Sequence, residues 1–410
     1  MERQMMEKYA DLVVRVGINI QADQTLVITS PIDCAPFVRL LAERAYQANA
    51  RDVVINWRDP LSAKVRFLLG RDELFDEFPD WQRDFYLYYL KLGAAFLSIS
   101  GEDPELLQEV QPDRIMKAQK VRNMALKTYR DSIMANENAW CIVSLPTPAW
   151  AKKVFPHLPE GQALAKLGQY IGAAVRLDRA DPIEAWKNHR EHLNRRIDFL
   201  NNCRFRLLRF TNARGTNLTI ELPGEHVWIG GAERSMGGVE FIPNMPTEEV
   251  YTAPVKTGVN GIAVSSKPLN YNGRLIENFA LTFVNGKVVK WQAEKGQEIL
   301  TELLATDEGA AYLGEVALVP HDSPISRADI VFYNTLFDEN ASCHLALGKA
   351  YPDCLTDGKN KTPAELARSG VNDSMVHEDF MIGTADMDIT GITYSGEELP
   401  VFRNGTFACI

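Results

Sequence analysis

Between Glu315 and Asp379 the sequence gathers Glu315, Glu339, His344, Tyr351, His377 and Asp379, in segments that otherwise read as buried strands and tight turns. Carboxylate oxygens mixed with imidazole nitrogens are the donor set that divalent zinc, cobalt or manganese accept. Histidine is scarce, at seven in 410 residues, yet His344 and His377 both stand among these acids. His377 and Asp379 lie at i, i+2 in MVHEDFMIG, so a strand sends both side chains from one face while Val376, Glu378 and Phe380 take the other. That pair is a two-arm chelate, although HxD alone is a weak motif. Glu339 and His344 are separated by an odd number of residues, and a straight strand would point them apart. Their convergence requires a bend at Asn340–Ser342, which Asn and Ser favour.

A further acid, Glu249, sits in NMPTEEVYTAP, a turn leading into a strand, and Glu315 opens the short apolar strand EVALVP. An acid at the mouth of a buried strand is costly to desolvate unless a metal ion, a lysine or an arginine meets it. Tyr351 follows at a distance from which a hairpin could return it to the site. Its phenol would either donate to a developing oxyanion or simply pack, with its hydroxyl at the surface. Cys343 beside His344 invites a nucleophile reading, but a carboxylate-rich setting raises a thiol's pKa and argues against it.

The elements that must position these groups fall into two textures. Met5, Tyr9, Leu12, Val13 and Val16 recur at helical spacing, with Gly17 where a C-terminal cap belongs. Strands are expected at Thr25–Thr29, Val53–Trp57, Ala94–Ser100 and Ala139–Pro146, and helices at Ala35–Ala48, Trp81–Lys91 and a single long one over Pro112–Met134. Strands spaced by helices, each too apolar to have a wet face, indicate a parallel α/β sheet. Its loops near Ser30–Asp33 and Leu145–Pro148 could line a cleft. Helices continue through Gly161–Val175 and Asp181–Asn201, where His189 and His192 read as solvated.

From residue 202 onward polar and apolar residues alternate, with turns at Asn272-Gly273 and Asn285-Gly286 and a helix at Gln297–Ala305. The fold class is therefore α/β, with an N-terminal domain over 1–201 and a mainly antiparallel catalytic domain over 202–410.

A net charge of −10, from 44 basic and 54 acidic residues, disfavours nucleic-acid and anionic-membrane partners. It suits a cleft that attracts cations or a protonated amine. No GxGxxG follows the first strand and no GxxxxGK[ST] occurs, which disfavours dinucleotide and P-loop chemistry. Six cysteines without a CxxC pair read as reduced thiols. The charged N-terminus has no signal core, and no apolar run is long enough to span a bilayer, so a cytoplasmic location is expected.

Together NMPTEEVYTAP, LGEVALVP, DENASCHLALGKAY and VHEDFMIGT resemble the signature segments of the aminopeptidase T and aminopeptidase S family of metal-dependent aminopeptidases, a likeness that extends over essentially the whole chain. The resemblance implies metal ligands at Glu249, Glu315, Glu339, His344, His377 and Asp379, and an active-site tyrosine at Tyr351. It implies two divalent ions (zinc, cobalt or manganese) per subunit, with Glu315 bridging them. A glutamate of the Glu248–Glu249 pair would carry the proton, and peptides with a free N-terminus would be the substrates. Homodimers, with the N-terminal domain walling a cavity, are implied in the same way. The alternatives are another dinuclear hydrolase, such as an amidase or phosphoesterase, and a non-catalytic α/β protein whose acids only solvate loops.

Overall fold

A computed structural model describes residues 1–101, 103–271 and 274–408. The Asn272-Gly273 turn and Cys409 lie outside the described residues. The chain divides into two compact units: Met1–Lys187 with Ala232–Pro246, and Asn188–Gly231 with Thr247–Ile410. The texture change at Asn202 lies just before the first antiparallel strand, Phe205–Thr211. The compact units divide earlier, and the first takes back a later segment.

The first unit is built on a parallel sheet ordered Asp52–Arg58, Thr25–Pro31, Ala95–Ser100, Trp140–Ser144, Asn244–Met245. The fifth strand is two residues long and has no period to read in sequence. It is held because Phe241, Ile242 and Met245 are buried in the same core as Leu26, Ile28, Leu97 and Val143. The opening helix Arg3–Leu12 runs on as a π-turn over Val13–Gly17. A Cβ at Gly17 would lie 2.8 Å from Met245 Sδ, so a larger residue there would displace the Met245 side chain.

The expected cleft beyond the strand ends is drawn shut on one side. Leu145 N donates to Ser100 O at 3.0 Å and Thr147 Oγ1 donates to Gly101 O. The helix expected over Pro112–Met134 is two helices, Pro112–Ala125 and Lys127–Met134, broken at Leu126. Leu126 is buried at the break, and Tyr129 packs on Tyr86 and Phe96 at ring separations of 4.8 and 5.2 Å. No residue of the first piece is buried, and it is held instead by Arg114 and Lys117, which pair with Asp72 and Asp76.

The second unit holds a nine-stranded sheet and a four-stranded sheet. In the larger sheet, Arg274–Val284 and Lys287–Lys295 are joined at Asn285-Gly286, both with positive φ, 49° and 83°. Two positive-φ residues define the hairpin turn whose twist matches the strands. The four-stranded sheet is antiparallel, in the order Val250–Thr252, Leu313–Leu318, His344–Gly348, His377–Met381. One of its faces sends Val316, Leu318, Leu345, Leu347 and Phe380 into the unit's main apolar core. Because strand side chains alternate, the opposite face carries Glu315, His344, His377 and Asp379. Among the described residues, no helix is long and apolar enough to cross a membrane.

Candidate metal centre

The site is assembled by register. Glu315 is paired with Ala346, and Ala346 with Asp379, so the two acids flank a methyl group on neighbouring strands. A larger side chain at Ala346 would occupy the space into which they converge. One step along, Ala317 pairs with His344, and Gly348 pairs with His377. Glu315 does not open its strand. It is the third residue, just past an irregularity at Gly314 that lets it stand opposite Ala346. A bulge of this kind re-aims the side chain that follows it.

Glu249 immediately precedes the strand Val250–Thr252. Glu339 sits in a tight turn over Glu339–Ala341, followed by extended Ser342, which reverses the chain before His344. Tyr351 reaches the site from the turn after Gly348, not from a hairpin, and its ring centre lies 4.6 Å from that of His377.

Both histidines present the same nitrogen. His344 Nδ1 donates to Ser342 O at 3.2 Å and His377 Nδ1 donates to Lys349 O at 2.7 Å. A carbonyl only accepts, so each Nδ1 bears hydrogen and each Nε2 is turned toward the acids. His344 Nε2 is 3.2 Å from Glu249 Oε2 and 3.4 Å from Glu315 Oε1. His377 Nε2 is 3.7 Å from Glu315 Oε2 and 3.6 Å from Asp379 Oδ1. Glu315 thus offers one oxygen to each histidine. The donors form two triads, Glu249–Glu315–His344 and Glu315–His377–Asp379, each with its atoms within 4.8 Å of one another. Glu339 stands beside these triads and belongs to neither.

Among the described residues no lysine or arginine pairs with Glu249, Glu315, Glu339 or Asp379. Burial and the acids Asp379 and Glu249 raise the Glu315 carboxyl, although His344 and His377 oppose the shift. Glu339 is pushed well above the ordinary range by burial, then by Glu249 and Asp379. Burial alone would lower His344, but its contacts with Glu249 and Glu315 hold it well above its usual value. His377 is likewise raised against burial by Asp379 and Glu315. Burial and four surrounding carboxylates push the Tyr351 hydroxyl well up, so it stays a proton donor.

Protons or cations are the two ways to balance such a cluster. The residues suit cations, since two Nε2 lone pairs face carboxylate oxygens and the buried Asp379 Oδ1 has no hydrogen-bond partner.

The Cys343 thiol is raised as expected but for another reason, and the expectation for His189 is overturned. Cys343 is raised to about 11 chiefly by burial, because it lies on the core face with its Sγ toward Val319 O. His189 is not solvated: it is buried, with Nε2 2.8 Å from Thr247 O and 3.7 Å from Glu248 Oε2, while His192 is exposed. The spacing of His189, Leu193 and Leu200 on one face of the helix Pro182–Cys203 is the signal that could have revealed this. The structure also separates the glutamate pair, with Glu249 facing His344 and Glu248 facing His189.

The electrostatics set a pH dependence. A raised folded-state pKa contributes stability below the unfolded value and loses it as pH rises through the folded one. Glu315, Glu339, His344 and His377 are all raised, so chelator-stripped protein should lose stability as pH rises above the ordinary carboxylate range and on past the ordinary imidazole value. Cations compete with those protons, so the melting-temperature gain from added divalent metal should widen over the same range. A gain that is constant or narrows with pH would count against the assignment.

Comparison with known proteins covers nearly the whole chain. The chain is 49% identical to Aminopeptidase 2 of Geobacillus stearothermophilus over 403 residues, covering 98% of this chain and 97% of that one. It is 46% identical to aminopeptidase AmpS of Bacillus subtilis over 405 residues, covering 99% and 98%. The solved structure of wild-type AmpT from Thermus thermophilus superposes with a TM-score of 0.94 at 40% identity, covering 99% of each chain. Residues 2–407 match the thermophilic metalloprotease (M29) family as a whole, and the chain belongs to that family.

Proposed function

We propose how this chain, as a metal-dependent aminopeptidase of the M29 family, releases N-terminal residues from peptides. Glu249, Glu315 and His344 would hold one divalent ion and Glu315, His377 and Asp379 a second, with Glu339 completing the set. The observation that carries the two-ion reading is Glu315, whose oxygens turn to different histidines, 3.4 Å from His344 and 3.7 Å from His377. Zinc, cobalt and manganese fit the mixed carboxylate and imidazole donors. When bound, the ions supply Lewis acidity and a water of lowered proton affinity.

The residues of the chain do the rest. The Tyr351 hydroxyl, held protonated, donates to the peptide carbonyl oxygen as negative charge develops there. Glu249 turns Oε2 to His344, which leaves Oε1 to take the proton from the attacking water. That proton passes to the amide nitrogen as the C–N bond breaks, giving a free amino acid and a shortened peptide. The acidic cluster favours a protonated substrate amine, which is the physical basis for an exopeptidase.

Aminoacyl chromogenic anilides should therefore be hydrolysed and their N-acetylated forms should not; equal rates on both would defeat the exopeptidase reading. Metal analysis should find close to two ions per chain, and Glu315→Gln should hold fewer and lose roughly 10³-fold or more in kcat with an unchanged fold. Near-normal turnover in that variant would remove Glu315 from the bridging position.

The reading extends to a cytoplasmic homodimer. Six cysteines without a CxxC pair or regular spacing suit a reducing compartment. The first unit exposes Leu61, Val65, Leu68 and Leu69 along one helix and Trp81 and Tyr88 on the next, an apolar surface that a second copy would cover. Sedimentation should report a dimer that Val65→Asp with Leu69→Asp dissociates. A monomeric wild type, or a double variant that stays dimeric, would refute this pairing surface.

A further inference from the structure

We infer that Asn340 is a positioning residue that fixes the gap between the Glu248–Glu249 segment and Glu339, independently of the sheet. The inference rests on the metal reading of the site and deepens it.

The problem that Asn340 solves is topological. The strands Val250–Thr252 and His344–Gly348 flank Leu313–Leu318 on opposite sides, so no backbone ladder joins them. Their starts lie at the same end, since Val250 pairs with Leu318 and His344 with Ala317. The two acids that enter from outside the ladder, Glu249 and Glu339, therefore arrive on either side of the end of the central strand. Register positions Glu315, His344, His377 and Asp379, but it leaves these two free to drift.

The Asn340 side chain spans that gap. It is completely buried. Its Oδ1 accepts from the backbone N–H of Glu248 at 2.7 Å, and its Nδ2 donates to Leu336 O at 2.9 Å. The same Nδ2 lies 3.4 Å from Glu339 Oε1, and Ser323 Oγ, just beyond the central strand, donates to Asn340 O at 3.4 Å. One amide thus ties the turn that carries Glu339 to the segment that carries Glu249. An amide is the group required, because it accepts on one side and donates on the other. Leucine would leave two buried backbone groups unpaired, and aspartate would set a second negative charge against Glu339. Outer contacts of this kind hold ligand groups at their working separation.

The test is titration of chelator-stripped protein with Co²⁺ alone, followed by visible absorption, together with melting temperatures of the stripped proteins. Asn340→Ala should weaken Co²⁺ binding by about 10–100-fold, with kcat lowered and KM for an aminoacyl anilide unchanged. Asn340→Ser, which leaves room for a water to satisfy both backbone groups, should keep the fold and show the same loss if the alanine variant fails to fold. In a Glu339→Gln background the loss on adding Asn340→Ala should shrink, because part of what Asn340 holds has been removed. Unchanged Co²⁺ affinity in folded Asn340→Ala or Asn340→Ser, or a loss just as large beside Glu339→Gln, overturns the positioning role. A wild-type chain that takes up no Co²⁺ overturns the metal reading itself, a separate result.

Discussion

Buried negative charge is the constraint on which the second unit depends. Glu249 and Glu315 are nearly inaccessible, Asp379 is half-buried, and no basic side chain among the described residues approaches them, save two imidazoles. Desolvated carboxylates at such spacing repel one another and are stable only when protonated or when cations lie between them. A bound divalent cation would offset that repulsion and turn the buried charge to use. Burial and the same charge keep the proton on Tyr351.

The fold can hold this charge because the four-stranded sheet has two unlike faces. Val316, Leu318, Leu345 and Phe380 anchor the sheet in a large apolar core, so the strands have little freedom to twist away from the acids. On the other face, space is provided by the smallest residues. Ala346 separates Glu315 from Asp379, and Ala317 adjoins His344. Backbone carbonyls at Ser342 and Lys349 then lock both imidazoles by their Nδ1 atoms. The direction of both imidazoles is thus set by backbone groups outside the donor cluster.

Much of this was legible from residue types. The alternation of His377 and Asp379 announced a shared face, and the helix–strand rhythm up to Ser144 announced a parallel sheet. Other features were not legible, each for a physical reason. Asn244–Met245 joins the first sheet through a pairing too short to carry a pattern. The break at Leu126 follows from packing of Tyr129, which no local propensity records. His189 was misjudged because the charges of its helix masked a buried stripe that it shares with Leu193 and Leu200.

What the sequence determined by itself is the chemistry. Acids, two histidines and a tyrosine in short apolar segments admit few uses besides binding cations, because side-chain type sets donor hardness and charge. Tertiary structure decided how those donors are divided. It alone turned the two oxygens of Glu315 to different histidines, directed Glu249 and Glu248 to different partners, and left Glu339 beside the triads. These are matters of register and rotamer, set by contacts between residues up to about a hundred positions apart, as when Asn340 receives the Glu248 amide across 92 positions. No local stretch of sequence contains that information.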